Sequence, residues 1–367
     1  MIHTGTFWKQ FDFILFAAIL LLILFGILMI ASTTRGAIDP DLITRVPDQI
    51  LYAIIGIVMV FILAAVDYRL LGGLHMWLYI VMVALLVLVQ FLGVEGDAGS
   101  QRWINVGIRI QPSEIGKILI IITLGYHLAQ NYHKLDSLRG VFMSLVHIAV
   151  PTGLVFIQPN LGTTIVFMVI WFTLIWAAGL RLQHIGLFLM IAMIGAPILW
   201  TQMEDYQKSR ITTFLFPDAE ENTDAVYNIR QARIAIGNGG LFGKGYGNGS
   251  QTQLRFLRVR HTDFIFSAIA EEFGLAGGLA VLGVLGLVIM RILQGARMAA
   301  DPLGSMICYG VAAIIFFQTA VSIGMNLNLL PVTGLTLPFI SSGGTSLLSM
   351  LTGIGLAESV IVRRRRI

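Results

Sequence analysis

Long runs of apolar residues, separated by short polar connectors, make up most of this 367-residue chain. About 20 consecutive apolar residues can cross a bilayer as a helix. The pattern predicts an all-α polytopic integral membrane protein, a single transmembrane domain over residues 1–367 with one large extracytoplasmic loop at about 203–262. The ten predicted spans are residues 13–32, 49–66, 74–93, 114–130, 142–158, 163–180, 186–202, 263–293, 305–326 and 344–361.

The composition agrees with a membrane protein, since 56% of the residues are hydrophobic and only 12% are charged. Soluble domains average about 25% charged residues. Four arginines at 363–366 directly follow the last apolar run, which favours a cytoplasmic anchor over a nucleic-acid site. The single cysteine, Cys308, excludes an intrachain disulfide. No cleavage site precedes the first apolar run, so we expect a retained span.

Lysine and arginine in the short loops set the expected orientation. Their excess on one side predicts that both termini are cytoplasmic, in a multi-pass protein of the cytoplasmic (inner) membrane. The large loop would then be external, because loops of that length translocate with little regard to charge. A reaction on that side has no ATP and needs an already activated substrate, such as a lipid-linked sugar diphosphate.

An acidic residue, Asp263, stands where the large loop meets the eighth predicted span. At 3.6 residues per turn, Asp263, Ser267 and Glu271 would share one helix face. A carboxylate in hydrocarbon costs about 2.5–3.5 kcal/mol, so such residues face a wet cavity or a partner and carry function. We expect Asp263 to be the reactive group and Glu271 to tune it or to form an ion pair. His261 is the rival base, although a loop histidine is more often structural.

The loop at 94–113 carries candidate substrate contacts. Apolar residues alternate with polar or small ones from 104 to 110, which predicts an extended piece on the membrane surface. Trp103 is either an interface aromatic or a platform for a sugar ring, and Arg102 beside it is a candidate phosphate partner.

A helix start follows this loop. Ser113 is the expected N-cap, with Glu114 in the first turn. Lys117 lies three residues after Glu114, on the same helix face. The two form either an ion pair that makes insertion less costly or a site in which Lys117 faces a phosphate.

The large loop is basic, which suits an anionic substrate, although a solvated or lipid-headgroup face explains the charge equally well. Its basic residues include Lys208, Arg210, Arg233, Lys244, Arg255, Arg258 and Arg260. Residues 227–235 predict a short amphipathic helix. The glycine-rich run that follows is not a phosphate loop, because Asn238 replaces a required glycine and Gly245 replaces the magnesium-binding Ser or Thr. These glycines indicate turns or a close approach of the backbone to a ligand.

Proline and glycine interrupt the membrane pattern at residues 158–163 and 330–346. Irregular backbone at membrane depth survives only where protein or a water-filled cavity satisfies it. We therefore expect both segments around the cavity of Asp263. The chain shows no convincing internal repeat, which weakens an inverted-repeat transporter interpretation.

Four groups of residues together resemble the SEDS family (shape, elongation, division and sporulation proteins), over nearly the whole chain. They are Arg102-Trp103-Ile104 with Gln111-Pro112-Ser113-Glu114-Ile115-Gly116-Lys117; Ile234-Ala235-Ile236-Gly237 through Gly243-Lys244-Gly245; Arg260-His261-Thr262-Asp263-Phe264-Ile265-Phe266 with Glu271-Glu272; and Leu330-Pro331-Val332-Thr333-Gly334 with Pro338-Phe339. The Arg260-His261 junction favours the members that act in cell elongation over those that act in division.

The resemblance implies a peptidoglycan glycosyltransferase that polymerises lipid II on the outer face of the cytoplasmic membrane, for elongation and rod shape. It implies a class B penicillin-binding protein as partner, besides membrane lipids. Asp263 matches the essential aspartate of the family, and Trp103, Glu114 and Lys117 match positions implicated in activity. Arg102, Lys117, Arg210 and Lys244 are candidate partners of the pyrophosphate. A divalent cation, Mg or Mn, could bridge that pyrophosphate, although the sequence shows no cluster of metal ligands.

The chain departs from the family pattern at several positions. Asn160 stands where the family has aspartate, which removes any charged role there; Arg258-Val259 replace a Pro-Glu pair; and Ser342 replaces a common tyrosine. Two other functions stay open beside the enzyme: a lipid II flippase, which shares the cavity and the broken helices, and a non-catalytic scaffold of a cell-wall synthase.

Overall fold

A computed structural model describes residues 8–95, 101–105, 109–131, 137–216 and 224–364. The helices are α1 (Phe13–Thr33), α2 (Pro40–Ile43), α3 (Arg45–Ala65), α4 (Tyr68–Gly73), α5 (His75–Leu92), α6 (Pro112–Asn131), α7 (Leu138–Ile157), α8 (Leu161–Ala177), α9 (Leu182–Gln202), α10 (Asp205–Leu215), α11 (Asp224–Gly239), α12 (Ser250–Gln253), α13 (Ile265–Arg297), α14 (Pro302–Asn326) and α15 (Gly344–Val362).

Each of the ten predicted spans coincides with one of these helices, which confirms the all-α architecture. The corresponding helices are α1, α3, α5, α6, α7, α8, α9, α13, α14 and α15. Within the described ranges, seven helices are long and apolar enough to cross a membrane, and α8 is an apolar helix of 17 residues. The chain is therefore a multi-pass membrane protein.

A small antiparallel sheet, ordered β1-β2-β3, lies between α5 and α6. Its strands are β1 (Val94–Glu95), β2 (Gln101–Asn105) and β3 (Arg109–Ile110). Trp103 is paired with Val94, and Ile104 with Ile110. Both ends of the predicted extended piece are strands, but they pair with each other antiparallel, so a single extended stretch over 104–110 is wrong. Residues 106–108 lie outside the described residues.

The centre of the bundle is formed by α14 and α15, most of whose residues are buried. Helix α15 packs along α3, and glycines on both sides bring the two backbones together. A Cβ on Gly56 would overlap the Leu351 side chain, and one on Gly355 would lie 3.0 Å from Val60 Cα. Small residues are the usual means by which membrane helices approach closely, because lipid gives no hydrophobic drive for helix association.

Ion pairs connect neighbouring helices at the end of the bundle where α15 ends. Arg291 on α13 binds Asp12, just before α1, at 2.6 Å. Arg69 on α4 binds Asp301, just before α14, at 2.7 Å. The other end of the bundle carries Asp263 and is called the Asp263 end below.

Candidate active site

Asp263 lies in a turn immediately before α13 and is partly buried. The helix begins at Ile265, so the predicted face shared by Asp263, Ser267 and Glu271 is wrong. Phe264 is the N-cap residue and offers no side-chain hydrogen bond to the first turn. The Val259 carbonyl accepts from the Phe264 N–H at 3.2 Å within the turn, and further hydrogen bonds come from groups elsewhere in the chain.

Three consecutive carbonyls of this turn, those of residues 261–263, each accept a hydrogen bond from the end of α14 or from the segment that links α14 to α15. The Ser342 N–H donates to the first at 3.0 Å, and Ser341 Oγ donates to the second at 2.9 Å. Asn326 Nδ2 donates to the third at 2.8 Å. The expectation that the interrupted segment 330–346 adjoins Asp263 is thus confirmed.

His261 is buried within the same turn. Burial, together with the nearby charges of Arg45 and Arg260, lowers the pKa of His261 from 6.5 to about 4. The imidazole is therefore neutral at pH 7. Its burial argues for a structural role in the turn, while its role as the rival base stays a prediction.

Glu271 binds α12 instead of Asp263. Its carboxylate is completely buried and accepts from the Gln251 N–H at 2.8 Å, the Thr252 N–H at 3.0 Å and Thr252 Oγ1 at 2.8 Å. An acidic group that accepts from the first N–H groups of a helix stabilises that helix end. Within the described chain, Glu271 is thus a cap for α12, and the structure shows neither the ion pair nor the shared face expected of it.

The glycine-rich run packs against a break in α13. Gly274 has φ of 68°, which interrupts the helix, and the Leu275 N–H donates to the Gly240 carbonyl at 2.9 Å. A Cβ on Gly243 would overlap the backbone of Glu272. The glycines do allow a close backbone approach, but its partner is α13, and an approach to a ligand stays a prediction. Lys244, whose N–H binds the Glu271 carbonyl, is exposed beside this break, about two turns along α13 from its start.

A small cleft, partly open to solvent, lies at the Asp263 end. It unites two of the predicted phosphate partners, Arg102 and Arg210. Asp263 is not among its lining residues, but the cleft adjoins the Asp263 turn, because Val332 packs against the apolar cluster that contains Phe264. The lining residues come from four segments: Arg102; Pro159, Asn160 and Leu161; Gln207, Arg210 and Ile211; and Pro331, Val332 and Thr333.

The polar groups of the cleft suit an anion. Arg102 donates to the carbonyls of Gln158, at 3.0 Å, and Pro159, which fixes the sheet against the start of α8. Gln207 is only 2% exposed, and its Nε2 has no hydrogen-bond partner. Guanidinium groups bind phosphate through charge-assisted hydrogen bonds. Trp103, next to Arg102, is partly buried on the sheet.

Asn160 caps α8. Its side chain accepts a hydrogen bond from the Thr163 N–H at 3.3 Å. Aspartate would accept the same bond and is about equally good as an N-cap. The departure from the family pattern therefore leaves the helix start intact.

Glu114 and Lys117 form the predicted ion pair, with 2.7 Å between Glu114 Oε2 and Lys117 Nζ. Lys117 is completely buried inside the bundle and is not among the residues that line the cleft. The expected cap at Ser113 is wrong, because α6 begins one residue earlier, at Pro112. Proline is favoured at the first position of a helix, where its missing N–H has no partner to lose.

Some of the loop arginines serve the fold. Arg260 is buried and donates to the Thr33 carbonyl at 2.6 Å and to the Leu257 carbonyl at 3.2 Å. Arg258 lies over the ring of Tyr227, 5.3 Å from its centroid. The predicted amphipathic helix at 227–235 is confirmed and is part of α11.

Sequence reasoning missed Asn326 and Ser341. Asn326 is the last residue of an apolar helix, and Ser341 follows the proline-rich stretch of the next connector. A polar residue at each of these positions was visible, but their partners lie about 60 and 80 residues away along the chain.

A family model described as cell cycle protein, built on FtsW, RodA and SpoVE, matches residues 12–366. Among curated relatives, peptidoglycan glycosyltransferase MrdB of Escherichia coli K12 is 37% identical over 364 residues, covering 98% of this chain and 96% of that protein. A probable peptidoglycan glycosyltransferase FtsW of Geobacter sp. strain M18 is 32% identical and covers 97% of this chain and 98% of that one.

Two solved structures share the fold over nearly the whole chain. One is a chain from a study of structural coordination of polymerization and crosslinking by a peptidoglycan synthase complex. Its TM-score is 0.80 and its identity 26%, and the match covers 97% of this chain and 99% of that one. The other is the rod shape determining protein RodA of Thermus thermophilus. Its TM-score is 0.69 and its identity 27%, and the match covers 98% of this chain and 99% of that one. The chain belongs to the FtsW, RodA and SpoVE family of cell cycle proteins, the SEDS family, and resembles its rod-shape member RodA.

Proposed function

We propose that this protein is an inverting peptidoglycan glycosyltransferase, which polymerises lipid II into β-1,4-linked glycan strands for cell elongation and rod shape. The observation that carries the proposal is Asp263, a partly buried carboxylate on a turn fixed by three hydrogen bonds, beside a cleft with two arginines. The names of MrdB and FtsW support the same reaction.

The chemistry needs a base and a means of stabilising the leaving group. The Asp263 carboxylate takes the proton of the acceptor sugar 4-hydroxyl, and that oxygen attacks the anomeric carbon of the donor. The bond from this carbon to the lipid pyrophosphate breaks, and the pyrophosphate leaves with the electron pair. One displacement converts an α-linked donor into a β-linked product. Arg102 and Arg210 bind the negative charge that develops on the pyrophosphate.

The proposal includes an orientation and a partner. The Asp263 end faces the outside of the cytoplasmic membrane, and both termini are cytoplasmic, as the distribution of basic residues in the short loops supports. A class B penicillin-binding protein cross-links the product. The likeness to a chain from a peptidoglycan synthase complex supports this partner.

A divalent cation would bind chiefly to oxygens of the pyrophosphate. In the described part of the chain, no three His, Cys, Asp or Glu side chains come together as ligands for a metal ion. Mg or Mn would supply charge stabilisation of the leaving group. The arginines of the cleft supply part of that stabilisation from the protein itself.

The test is polymerisation of lipid II by the purified protein in detergent, with and without the penicillin-binding partner and with and without a chelator. Asp263→Asn should retain its melting temperature and make no glycan strands. Asp48→Asn, an exposed acid in the first turn of α3, is the matched control and should polymerise normally. Wild-type rates from Asp263→Asn would remove Asp263 from the mechanism.

Two other results would point to other functions. A wild-type protein that makes no strands in detergent in any arm, but moves lipid II between leaflets of vesicles, is a flippase. Loss of both activities, with an intact complex with the partner, indicates a scaffold.

A further inference from the structure

The first turn of α13 lacks a cap from its own sequence. A helix start leaves four backbone N–H groups without partners inside the helix. Phe264, at the N-cap position, has no side-chain oxygen to accept from them. One of these groups, the Ser267 N–H, instead donates to Asn326 Oδ1 on α14 at 3.0 Å.

Asn326 is completely buried and uses both ends of its amide. Its Oδ1 also accepts from Ser267 Oγ at 2.6 Å. Its Nδ2 donates to the Asp263 carbonyl at 2.8 Å and to the Ser322 carbonyl, one turn earlier on α14, at 2.7 Å. The two N–H donors and the acceptor oxygen are all occupied, so a reversed amide would place oxygen against the two carbonyls. The network therefore fixes both the position and the direction of the amide.

This amide links the two sides of the reactive turn. It holds the carbonyl of residue 263 and the N–H of residue 267, and it is itself anchored to α14. The backbone on either side of Phe264 is thereby fixed, and the backbone sets the direction in which the Asp263 side chain leaves the chain. A proton transfer requires donor and acceptor within about 2.6–3.2 Å, so this direction matters for the rate.

We propose that Asn326 is a positioning residue for the reaction: it acts through Asp263, by holding the turn that aims the carboxylate. This inference rests on the proposed function of Asp263. Asn326 is completely buried and acts only through the backbone of the turn. Its loss should lower turnover and leave the affinity for lipid II unchanged, because the arginine cleft is built from other segments.

The experiment compares Asn326→Ala with Gln318→Ala in the purified full-length protein. Gln318 is also a buried amide on α14, two turns earlier, and none of the described contacts joins it to the Asp263 turn. We expect Asn326→Ala to lower the rate at saturating lipid II on the order of 100-fold, since small misplacements have effects of that size. The half-saturating concentration of lipid II should stay within about twofold, and Gln318→Ala should polymerise at the wild-type rate.

A purely structural role predicts a different result. Asn326→Ala would then lower the melting temperature, and the fraction that stays folded would polymerise at the wild-type rate, which would overturn the proposal. If Asp263→Asn also polymerises normally, the proposed function itself fails. If Asp263→Asn is inactive while folded Asn326→Ala is fully active, only the positioning role fails.

Asn326→Asp keeps the test decisive if the alanine variant does not fold. Aspartate retains the oxygen that caps Ser267, but it donates to the Asp263 carbonyl only when protonated. We expect its polymerisation rate, relative to wild type, to fall as the pH rises, while the helix start stays capped. A ratio that stays at the wild-type level up to a pH at which the introduced carboxyl is ionised would overturn the proposal.

Discussion

Lys117 Nζ lies 2.7 Å from Glu114 Oε2, and the lysine side chain has no exposed surface. Removal of one partner leaves the other charge buried without compensation, which typically costs about 3–5 kcal/mol. We therefore expect Lys117→Met to lower the melting temperature strongly in detergent. Glu114→Gln combined with Lys117→Met should recover much of that loss, because no buried charge then remains. A single variant as stable as wild type would contradict the pairing.

Glu271→Gln tests whether this carboxylate caps α12 or tunes Asp263. A glutamine cannot accept on both oxygens, so at least one of the Gln251 and Thr252 donors loses its partner. Leaving a buried donor unsatisfied costs about 1–3 kcal/mol. We expect a lower melting temperature and an unchanged pH profile of polymerisation. Asp205→Asn, an exposed acid at the start of α10, is the control and should change neither. A shifted pH profile with unchanged stability would restore the tuning role.

Arg210→Ala tests the cleft. If the cleft binds the lipid pyrophosphate, loss of a charge-assisted hydrogen bond worth about 1.5–3 kcal/mol should raise the half-saturating concentration of lipid II by at least about tenfold. The control is Arg233→Ala, an exposed arginine on α11 that does not line the cleft. Equal, small effects of the two variants would indicate a general charge effect of the loop instead of a site.

The spans and the buried ion pair could be predicted from the sequence because their signals are local. Apolar runs of about 20 residues define membrane helices, and Glu114 and Lys117 are three residues apart on one helix. Segments 158–163 and 330–346, which proline and glycine interrupt, were also placed correctly at the Asp263 end, since irregular backbone needs a protein or water partner.

The role of Glu271 could not be predicted from local sequence signals. The helical-face argument assumed that the helix includes Asp263, whereas α13 begins at Ile265 and is broken at Gly274. Both features depend on long-range hydrogen bonds, from Asn326 at the start and from the glycine-rich run at the break. Periodicity within one segment carries no information about such partners.

His261 makes stability depend on pH. Its folded-state pKa is lowered to about 4 by burial and by Arg45 and Arg260, whereas the unfolded chain has the ordinary value near 6.5. Between these values the unfolded state binds the proton first, so stability should fall as the pH decreases from about 6.5 towards 4. The apparent melting temperature in detergent should show this decrease. His261→Gln should be less sensitive over that window, and equal pH dependence of the two proteins would contradict the assignment.

Asn160 shows that a family aspartate can be replaced without loss of the local structure. Its side chain caps α8 by accepting from the Thr163 N–H, a role for which asparagine and aspartate are about equal. We expect Asn160→Asp to keep both the melting temperature and the polymerisation rate of wild type. Asn160→Ala should lose about 1 kcal/mol of stability, the usual contribution of such a cap. The cleft beside it is formed largely by other residues, so the folded alanine variant should still bind lipid II. A gain of turnover in Asn160→Asp well above wild type would show that a charge at this position assists the reaction, as a two-carboxylate mechanism requires.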